Sequence, residues 1–221
     1  MSDPAVDAAA VADIVTRGRV IAQSGNQGSI HAGSVDGQQV LVKAVYGNPL
    51  TMYLRRKMLQ REYLAYRRLE GIAGIPRCYG LFHGRYLALE YIDAPTYRLG
   101  PPAERERFFR RLLEIIEAMH DRGVAHGDLM RKSNILVRDG EYLYVIDFGV
   151  AEIYRPGLHP FNHWLHGFLW QHDFNAWLKH KYRRELDDMS PEDAVLYKPI
   201  LIDRIARVFK RLFITPFQRR K

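Results

Sequence analysis

The sequence predicts an α+β fold, with short strands and one main helix in its first half and mostly helices in its second half. Three observations indicate this fold. Residues 20–45 form short β-type segments that are broken by four glycines. Residues 93–101 are rich in proline and glycine and read as a linker. A strongly amphipathic helix follows over residues 102–121.

The first half contains two expected helices and a set of strands. The strand at residues 40–45 is apolar apart from Lys43, which is costly to bury unless an anionic group meets it. In the main helix, Glu62 lies on the same face as apolar side chains at helical spacing. The expected elements after a lead-in helix over residues 1–17 are a strand at 40–45, a helix at 51–70, and strands at 77–82 and 85–91.

The second half is expected to begin with the helix at 102–121, which Gly123 ends. A β-hairpin should then join Asn134 to Asp147, because two apolar runs flank the turn at residues 138–141. Such a hairpin brings Asn134 and Asp147 to the same end. The rest is mostly helical, and Ser190 is a good helix start.

Composition narrows the class of protein. At 221 residues the chain can bury a proper core, as one compact unit or as two lobes that share a cleft. The single cysteine, Cys78, excludes an internal disulfide and fits a reducing compartment. The first residues lack the features of a secretion signal, and no apolar run approaches the roughly 18 residues that span a bilayer. We therefore expect a soluble, cytoplasmic protein.

The formal net charge of +8 suits anionic partners, although solvated basic helix faces explain it equally well. In residues 201–213 apolar and basic side chains alternate at helical spacing, which predicts a basic C-terminal helix. Docking of its apolar face on the second half is the simpler expectation. Peripheral contact with the inner face of a membrane is the alternative, and nucleic acid is not an expected partner.

The strongest chemical signal lies in residues 126–149. They contain His-Gly-Asp-Leu at 126–129, Asn134, and Asp-Phe-Gly at 147–149. Phosphoryl transfer needs one carboxylate for the attacking hydroxyl, and Mg²⁺ needs hard oxygen ligands. Asp128 can supply the first, and Asn134 and Asp147 can supply the second. The plainer alternative is that both aspartates serve only as turn residues.

These segments resemble the catalytic core of the protein-kinase-like superfamily. Glu62 follows Lys43 by 19 residues, which matches the usual spacing between the strand lysine and the helix glutamate of kinases. The resemblance implies a two-lobed kinase-like fold that uses ATP and Mg²⁺. The implied divisions are an N-lobe at residues 18–92, a hinge at 93–101, and a shortened, mostly helical C-lobe at 102–221.

The resemblance also implies a role for each site residue. Lys43 and Glu62 would hold the α- and β-phosphates, Asp128 would be the catalytic base, and Asn134 and Asp147 would bind Mg²⁺. Residues 23–30 resemble the glycine-rich loop, with Gln23 in place of its first glycine, although a glycine-containing turn is the plainer interpretation. The residues implied to contact ATP besides Lys43 are Gly25 and Gly28 of that loop, Leu89, Glu90, Ile92 and Leu136.

Three features of the sequence depart from the usual kinase pattern and narrow the group of kinases that it resembles. Gly127 replaces the arginine with which many regulated protein kinases bind a phosphorylated activation loop. Asn134 follows Asp128 by six positions, one more than usual. Arg131 or Lys132 in this loop could neutralise the transferring phosphoryl group, or both could simply face the solvent. Only 72 residues follow Gly149, without an Ala-Pro-Glu-like segment. This compact form resembles bacterial RIO-like and lipopolysaccharide-core kinases, and Asp173 is a candidate brace for the catalytic loop.

The sequence therefore predicts a kinase that transfers the γ-phosphate of ATP to a hydroxyl. The expected acceptor is a protein serine or threonine, slightly preferred over a glycolipid sugar of the lipopolysaccharide core. The alternative from another class is a pseudokinase, a nucleotide-binding scaffold without transfer activity, which the missing first glycine and the enlarged loop favour. A small-molecule phosphotransferase of the aminoglycoside type is a third possibility, although its second lobe is normally larger.

Overall fold

The structure is a computed structural model that describes residues 6–24, 28–183 and 185–199. The basic C-terminal helix expected in residues 201–213 lies outside the described residues, as does Gly25. Peripheral membrane contact through that helix therefore stays a prediction. Within the described part of the chain, no helix is both long enough and apolar enough to cross a membrane.

The secondary structure confirms the α+β expectation. The described helices are α1 (Ala8–Arg17), α2 (Pro49–Arg68), α3 (Arg105–Asp121), α4 (Pro160–Lys181) and α5 (Pro191–Ala194). The described strands are β1 (Arg19–Ser24), β2 (Gly28–Val35), β3 (Gln38–Val45), β4 (Cys78–Phe82), β5 (Tyr86–Glu90), β6 (Val124–Ala125), β7 (Ile135–Arg138), β8 (Tyr142–Val145) and β9 (Glu152–Ile153). Short 3₁₀ helices cover Lys132–Asn134 and Leu186–Asp188.

The first five strands form one antiparallel sheet in the order β1-β2-β3-β5-β4. Side chains of a strand alternate between its two faces. On one face Val40 and Val42 of β3 pack against Val11 and Ile14 of α1. Gly33 of β2 makes room for this helix, because a Cβ atom there would lie 2.7 Å from Ile14 Cγ1. The sequence predicted α1 but not its docking on the sheet.

The other face of the sheet carries Lys43 toward α2. Leu59 and Tyr66 of α2, and Leu69 directly after it, belong to a buried core that continues into the second half of the chain. There Phe109 of α3 and Trp177 of α4 are buried, and Trp177 Nε1 donates a hydrogen bond of 2.7 Å to the Phe109 carbonyl. The two halves thus share one hydrophobic core beneath the cleft.

The predicted hairpin is confirmed as β7 and β8, with Ile135 opposite Val145. Its turn places Asp139 and Gly140 in the left-handed region, with φ of 56° and 71°. Asp-Gly is a preferred pair in tight hairpin turns, which explains why the sequence identified this one. The helix expected from residue 102 begins instead at Arg105. The Ala103 N–H bonds to the Gly140 carbonyl, outside any helix.

Candidate active site

Lys43 is the centre of an ion cluster between the sheet and the hairpin end. Its Nζ lies 2.5 Å from Glu62 Oε1 and 2.9 Å from Asp147 Oδ1. Glu62 is reached because it lies three residues after Leu59 and four before Tyr66, all on the buried face of α2. Lys43 was expected to need an anionic partner, and it has two, the carboxylates of Glu62 and Asp147.

The cluster shifts the pKa values of its members in opposite directions. Burial by itself would lower the pKa of Lys43, but Glu62, Tyr66 and Asp147 together raise that pKa above its ordinary value. Burial would raise the pKa of Asp147, but the Lys43 ammonium outweighs burial and holds that pKa below its ordinary value. Lys43 and Asp147 therefore both carry charge at neutral pH.

Asp147 is held in an uncommon backbone conformation by the side chain of Tyr66. Its φ is 68°, in the left-handed region, and its N–H donates to the Tyr66 hydroxyl at 3.2 Å. The Tyr66 ring in turn meets the buried Phe148 edge to face, with centroids 4.9 Å apart. Burial raises the pKa of Tyr66 above its ordinary value, so the hydroxyl keeps its proton. The Asp147 carboxylate is thereby oriented from both its backbone and its side chain.

The loop that carries Asp128 is organised by His126, which is fully buried. The Nε2 atom of His126 lies 3.0 Å from the Ile146 carbonyl, and Nδ1 accepts the Asp128 N–H at 3.2 Å. A carbonyl can only accept, which assigns the hydrogen to Nε2. One imidazole thus links the residue before Asp147 to the backbone of Asp128.

The extra residue between Asp128 and Asn134 is accommodated by the 3₁₀ helix at Lys132–Asn134. Asn134 Nδ2 still reaches the carbonyl oxygen and the Oδ2 of Asp128, each at 3.1 Å. Arg131 Nε lies 3.3 Å from the same Oδ2, whereas Lys132 lies over the ring of Tyr97. The enlarged loop therefore keeps Asn134 beside Asp128.

Asp173 braces this loop, as the sequence suggested. Its carboxylate accepts the backbone N–H groups of His126 at 2.7 Å and Gly127 at 2.9 Å, and it lies 3.1 Å from His120 Nε2. Gly127 has a φ of 77°, and a Cβ atom there would lie 3.0 Å from Leu169. The backbone conformation and the packing thus explain why glycine, rather than arginine, occupies position 127.

The residues expected near adenine are distributed along β5, the linker and β7. Leu89, Ile92 and Leu136 are buried, and Leu136 lies on the strand face opposite to Ile135 and Val137, which enter the core. The backbone N–H of Glu90 already donates to the Arg77 carbonyl at 2.8 Å, and its side chain accepts the Arg77 N–H. Glu90 therefore has no N–H left for adenine.

The backbone of the following residues offers one donor instead. The Tyr91 N–H donates to the Gln39 carbonyl. Within the described residues, the Ile92 N–H has no hydrogen-bond acceptor. Of Glu90, Tyr91 and Ile92, it is therefore Ile92 whose backbone N–H is available to bind an adenine base.

A cavity of about 500 Å³ opens beside the ion cluster. Lys43, Glu62, Asp147 and Gly28 are among the residues that line it, while Leu89, Ile92 and Leu136 lie outside this lining. Glycine at position 28 also has a structural reason, because a Cβ atom there would lie 2.9 Å from the Ala44 carbonyl oxygen. The close approach of β2 and β3 thus accounts for Gly28 even without a phosphate.

The donor set near the cavity fits Mg²⁺. The Ile146 N–H bonds to the Asn134 carbonyl at 2.9 Å, so Asn134 and Asp147 meet at the hairpin end. Asn134 Nδ2 contacts Asp128, and Asn134 Oδ1 accepts the Ser133 hydroxyl at 3.3 Å with one lone pair, which leaves its second lone pair for a metal. The half-exposed Asp147 carboxylate supplies another oxygen ligand. Among the described residues, no group of three His, Cys, Asp or Glu side chains could hold a metal. Mg²⁺ commonly uses only one or two protein ligands beside phosphates and water.

Sequence reasoning missed the supporting residues. The sequence predicted no role in the site for Tyr66, and neither the hydrogen bonds of His126 nor the contact of His120 with Asp173 was anticipated. The position of Tyr66, one helical turn after Glu62, was the available signal. For His126 and His120 the sequence offered no comparable spacing rule.

Comparisons with known proteins agree with this geometry. A family model described as the protein kinase domain matches residues 24–173. A probable serine/threonine-protein kinase of Arabidopsis thaliana is 33% identical over 113 residues, which are 45% of this chain and 19% of that protein. The dual specificity protein kinase Ttk of Danio rerio is 38% identical over 55 residues, 25% of this chain and 5% of that protein. The chain thus spans only a small part of the length of these relatives.

A solved structure shares the fold. The crystal structure of the Rio2 kinase–ADP/Mg²⁺–phosphoaspartate complex from Chaetomium thermophilum superposes with a TM-score of 0.59 at 16% identity. The match covers 87% of this chain and 64% of that one. The two-lobed kinase-like fold expected from the resemblance is confirmed, and the RIO-like likeness holds at the level of the fold. The match with the domain covers more than half of the sequence, so the chain belongs to the protein kinase domain family.

Proposed function

We propose that this protein is an ATP- and Mg²⁺-dependent kinase that transfers the γ-phosphate to a hydroxyl acceptor. The single observation that carries the proposal is Lys43, whose Nζ bridges Glu62 and Asp147 at 2.5 and 2.9 Å. An ammonium held in this way is ready to meet phosphate oxygens at the edge of the cleft. The ADP and Mg²⁺ named in the Rio2 complex support the same ligands for this chain.

Each site residue has a role in this proposal. Lys43, fixed by Glu62, binds the α- and β-phosphates. Asn134 and Asp147 hold Mg²⁺, which when bound neutralises charge on the phosphates. Asp128 orients the acceptor hydroxyl and accepts its proton, and its Oδ2 is already positioned by Asn134 and Arg131.

The remaining residues that the sequence resemblance implied form the nucleotide site in this proposal. Gly25 and Gly28 border the phosphates, and Leu89 and Leu136 enclose the adenine. The base edge is met by the backbone between Glu90 and Ile92. Within that stretch we assign the donor role to the Ile92 N–H, because the N–H groups of Glu90 and Tyr91 already donate to the carbonyls of Arg77 and Gln39.

We favour a protein serine or threonine as the acceptor over a sugar of the lipopolysaccharide core. The similarity to serine/threonine-protein kinases supports the protein acceptor. The test is incubation of the purified chain and γ-labelled ATP with fractionated cell extract, with Mg²⁺ or with EDTA. We expect label in the protein fraction, only with Mg²⁺. Label confined to glycolipid would overturn the preferred acceptor, and absence of labelled product in every fraction would contradict kinase activity.

The alternative is a nucleotide-binding scaffold without transfer. The observation in its favour is the loop between Asp128 and Asn134, which is one residue longer than usual and contains a 3₁₀ helix. A thermal-shift titration with ATP distinguishes such a scaffold from a protein that does not bind nucleotide at all. Stabilisation by ATP that is accompanied by no labelled product under any condition would favour the scaffold.

A further inference from the structure

A second cavity, of about 810 Å³, lies beside the catalytic loop and outside the nucleotide cleft. Three segments form its walls: the linker with the start of α3, residues 130–133 of the loop between Asp128 and Asn134, and the C-terminal end of α4. None of the described lining residues is acidic. Six of them are cationic, namely Arg98, Arg105, Arg131, Lys132, Lys179 and Arg183.

This basic cavity is close to the proposed catalytic base. Arg131 lines the cavity, and its Nε lies 3.3 Å from Asp128 Oδ2. The volume falls in the range of roughly 300–1,000 Å³ that pockets for whole ligands occupy, and exceeds what one small ion needs. A molecule seated here would therefore extend from the cavity toward the hydroxyl-binding side of Asp128.

Hydrogen bonds between the walls make the cavity preformed. Arg105 donates to the carbonyls of His180 at 2.8 Å and Lys181 at 2.6 Å, which fixes the end of α4 to the start of α3. His180 Nε2 lies 2.9 Å from the Leu129 carbonyl, which fixes the same end of α4 to the catalytic loop. Binding here would require little reordering of the backbone.

The balance of charge distinguishes this cavity from a second cleft, which is lined by Arg107, Arg110 and Arg111. In that cleft Arg107 pairs with Glu141 at 2.7 Å and Arg111 with Glu114 at 2.8 Å. Within the described residues, Arg98 and Arg183 form no such ion pair, and both are exposed. A cleft lined by charges of one sign focuses the field and attracts ligands of the opposite sign.

We propose that the basic cavity binds acidic side chains that flank the serine or threonine phosphorylated in a protein acceptor. The inference rests on the proposed kinase function and specifies its substrate class. Cations spread over three chain segments match several carboxylates along an extended peptide, whereas a single phosphate would engage only a few of them. The similarity to serine/threonine-protein kinases favours a peptide over an anionic glycolipid.

The experiment uses three synthetic heptapeptides with a central serine, flanked on both sides by three Glu, three Gln or three Lys residues. Phosphate transfer gives KM for each peptide, and fluorescence anisotropy gives binding without ATP. For the wild-type protein we expect a KM for the Glu peptide about tenfold below that for the Gln peptide, because several charge pairs contribute. The Lys peptide should bind most weakly.

The test variant is Arg98→Glu combined with Arg183→Glu. It should raise the KM for the Glu peptide about tenfold or more and improve binding of the Lys peptide, a gain that unfolding cannot produce. The matched control, Arg56→Glu with Arg110→Glu, makes the same charge change at exposed positions outside the cavity lining. It should keep the wild-type order of the three peptides. Arg98→Gln with Arg183→Gln should give an intermediate preference.

Different results would contradict the acidic-acceptor inference and the proposed kinase function. Equal KM values for the Glu and Gln peptides, or an equal shift in the control variant, would overturn the acidic-acceptor inference while transfer itself persists. Transfer to a phosphorylated glycolipid but to none of the peptides would overturn it as well. If the Glu peptide binds in a manner that depends on Arg98 and Arg183 but no phosphate is transferred, the cavity assignment stands and the kinase function fails.

Discussion

Lys43 is the residue on which most of the candidate site depends, because it joins strand β3, helix α2 and the hairpin end through two carboxylates. Its side chain is only 19% exposed. A buried ammonium is tolerated there because Glu62 and Asp147 compensate for the water that it loses. The same arrangement leaves the ammonium at the wall of the cleft, where phosphate oxygens can join the cluster.

Replacement of Lys43 by methionine keeps the length of the side chain and removes its charge. We expect Lys43→Met to lower γ-phosphate transfer about 10²–10³-fold, the loss typical of removing one preorganised electrostatic contact. Steady-state transfer with saturating Mg²⁺ is the measurement. Lys57→Met, at an exposed position of helix α2, is the matched control and should retain wild-type rates. Equal losses in the two variants would contradict the role of Lys43.

Asp147 should make the free energy of unfolding depend on pH in the acidic range. Its pKa is lower in the folded protein than in the unfolded chain, so its contribution to stability is present above about pH 4 and is lost as the pH falls through the folded value. Lys43 has a raised pKa, so its contribution is complete below about pH 10.4 and is lost only at more alkaline pH. Denaturant unfolding of Asp147→Asn and wild type from pH 7 to 2 tests this. The difference in free energy should shrink below about pH 4; a constant difference would refute the assignment.

These residues differ in how far the sequence could identify them. Five site residues could be identified because charged or polar side chains follow or interrupt apolar segments and because their order and spacing resemble those of kinases. They are Lys43, Glu62, Asp128, Asn134 and Asp147. Tyr66 and His126 could not, because their roles are contacts across long stretches of chain. A tyrosine on an apolar helix face and a histidine before a turn have many other uses.

At the scale of elements, helix α4 determines the geometry of the catalytic loop through Asp173 and Leu169. The carboxylate of Asp173 accepts two consecutive backbone N–H groups, which fixes the turn at Gly127. Leu169, one helical turn earlier, packs where a side chain at position 127 would begin. Helix α4 therefore holds the loop. The arginine with which many regulated protein kinases bind a phosphorylated activation loop is replaced by Gly127.

Gly127→Arg tests this packing. The substitution combines a left-handed backbone with a contact of 3.0 Å to Leu169, and we expect it to destabilise the fold by about 1–3 kcal/mol. Thermal unfolding is the measurement. Gly157→Arg is the control, because Gly157 also has positive φ, 95°, but no heavy atom within 4 Å of its Cβ position. Gly127→Arg should unfold at the lower temperature, and Leu169→Ala should partly restore it; the reverse order would exclude the packing explanation.

Helix α1 is part of the N-terminal lobe because its apolar face covers the outer side of the sheet. Ile14 is 4% exposed. Ile14→Ala should therefore lower the free energy of unfolding by about 2–4 kcal/mol through the cavity it creates. Ile21→Ala makes the same change at a position that is 41% exposed and should cost less than about 1 kcal/mol. Equal losses in chemical denaturation would mean that α1 does not pack as described.

The sequence predicted individual elements better than their mutual packing. The hairpin at β7 and β8 was predictable because Asp139-Gly140 favours a tight turn between apolar runs. The docking of α1 was not, because an amphipathic pattern states that a helix has a buried face and not what covers it. The start of α3 was placed three residues early for a local reason, the hydrogen bond of Ala103 with Gly140.

At the scale of the whole molecule, the candidate site has two cavities. One is lined by Lys43 and Asp147, and the other is lined by cations that include Arg131, the partner of Asp128. This arrangement suits a transfer between two substrates, a nucleotide and an anionic acceptor. It could not be predicted from the sequence, because the basic cavity gathers residues from positions 98 to 183 that no motif connects.

In the proposed mechanism Asp128 performs the chemistry, in a site that binds ATP independently of Asp128. The most direct measurement is the single-turnover rate of γ-phosphate transfer by wild type and Asp128→Asn, with ATP affinity measured on the same samples. We predict that Asp128→Asn binds ATP as wild type does and transfers about 10²–10⁴-fold more slowly, the range expected for loss of a general base. Equal transfer rates in the two proteins would contradict the account.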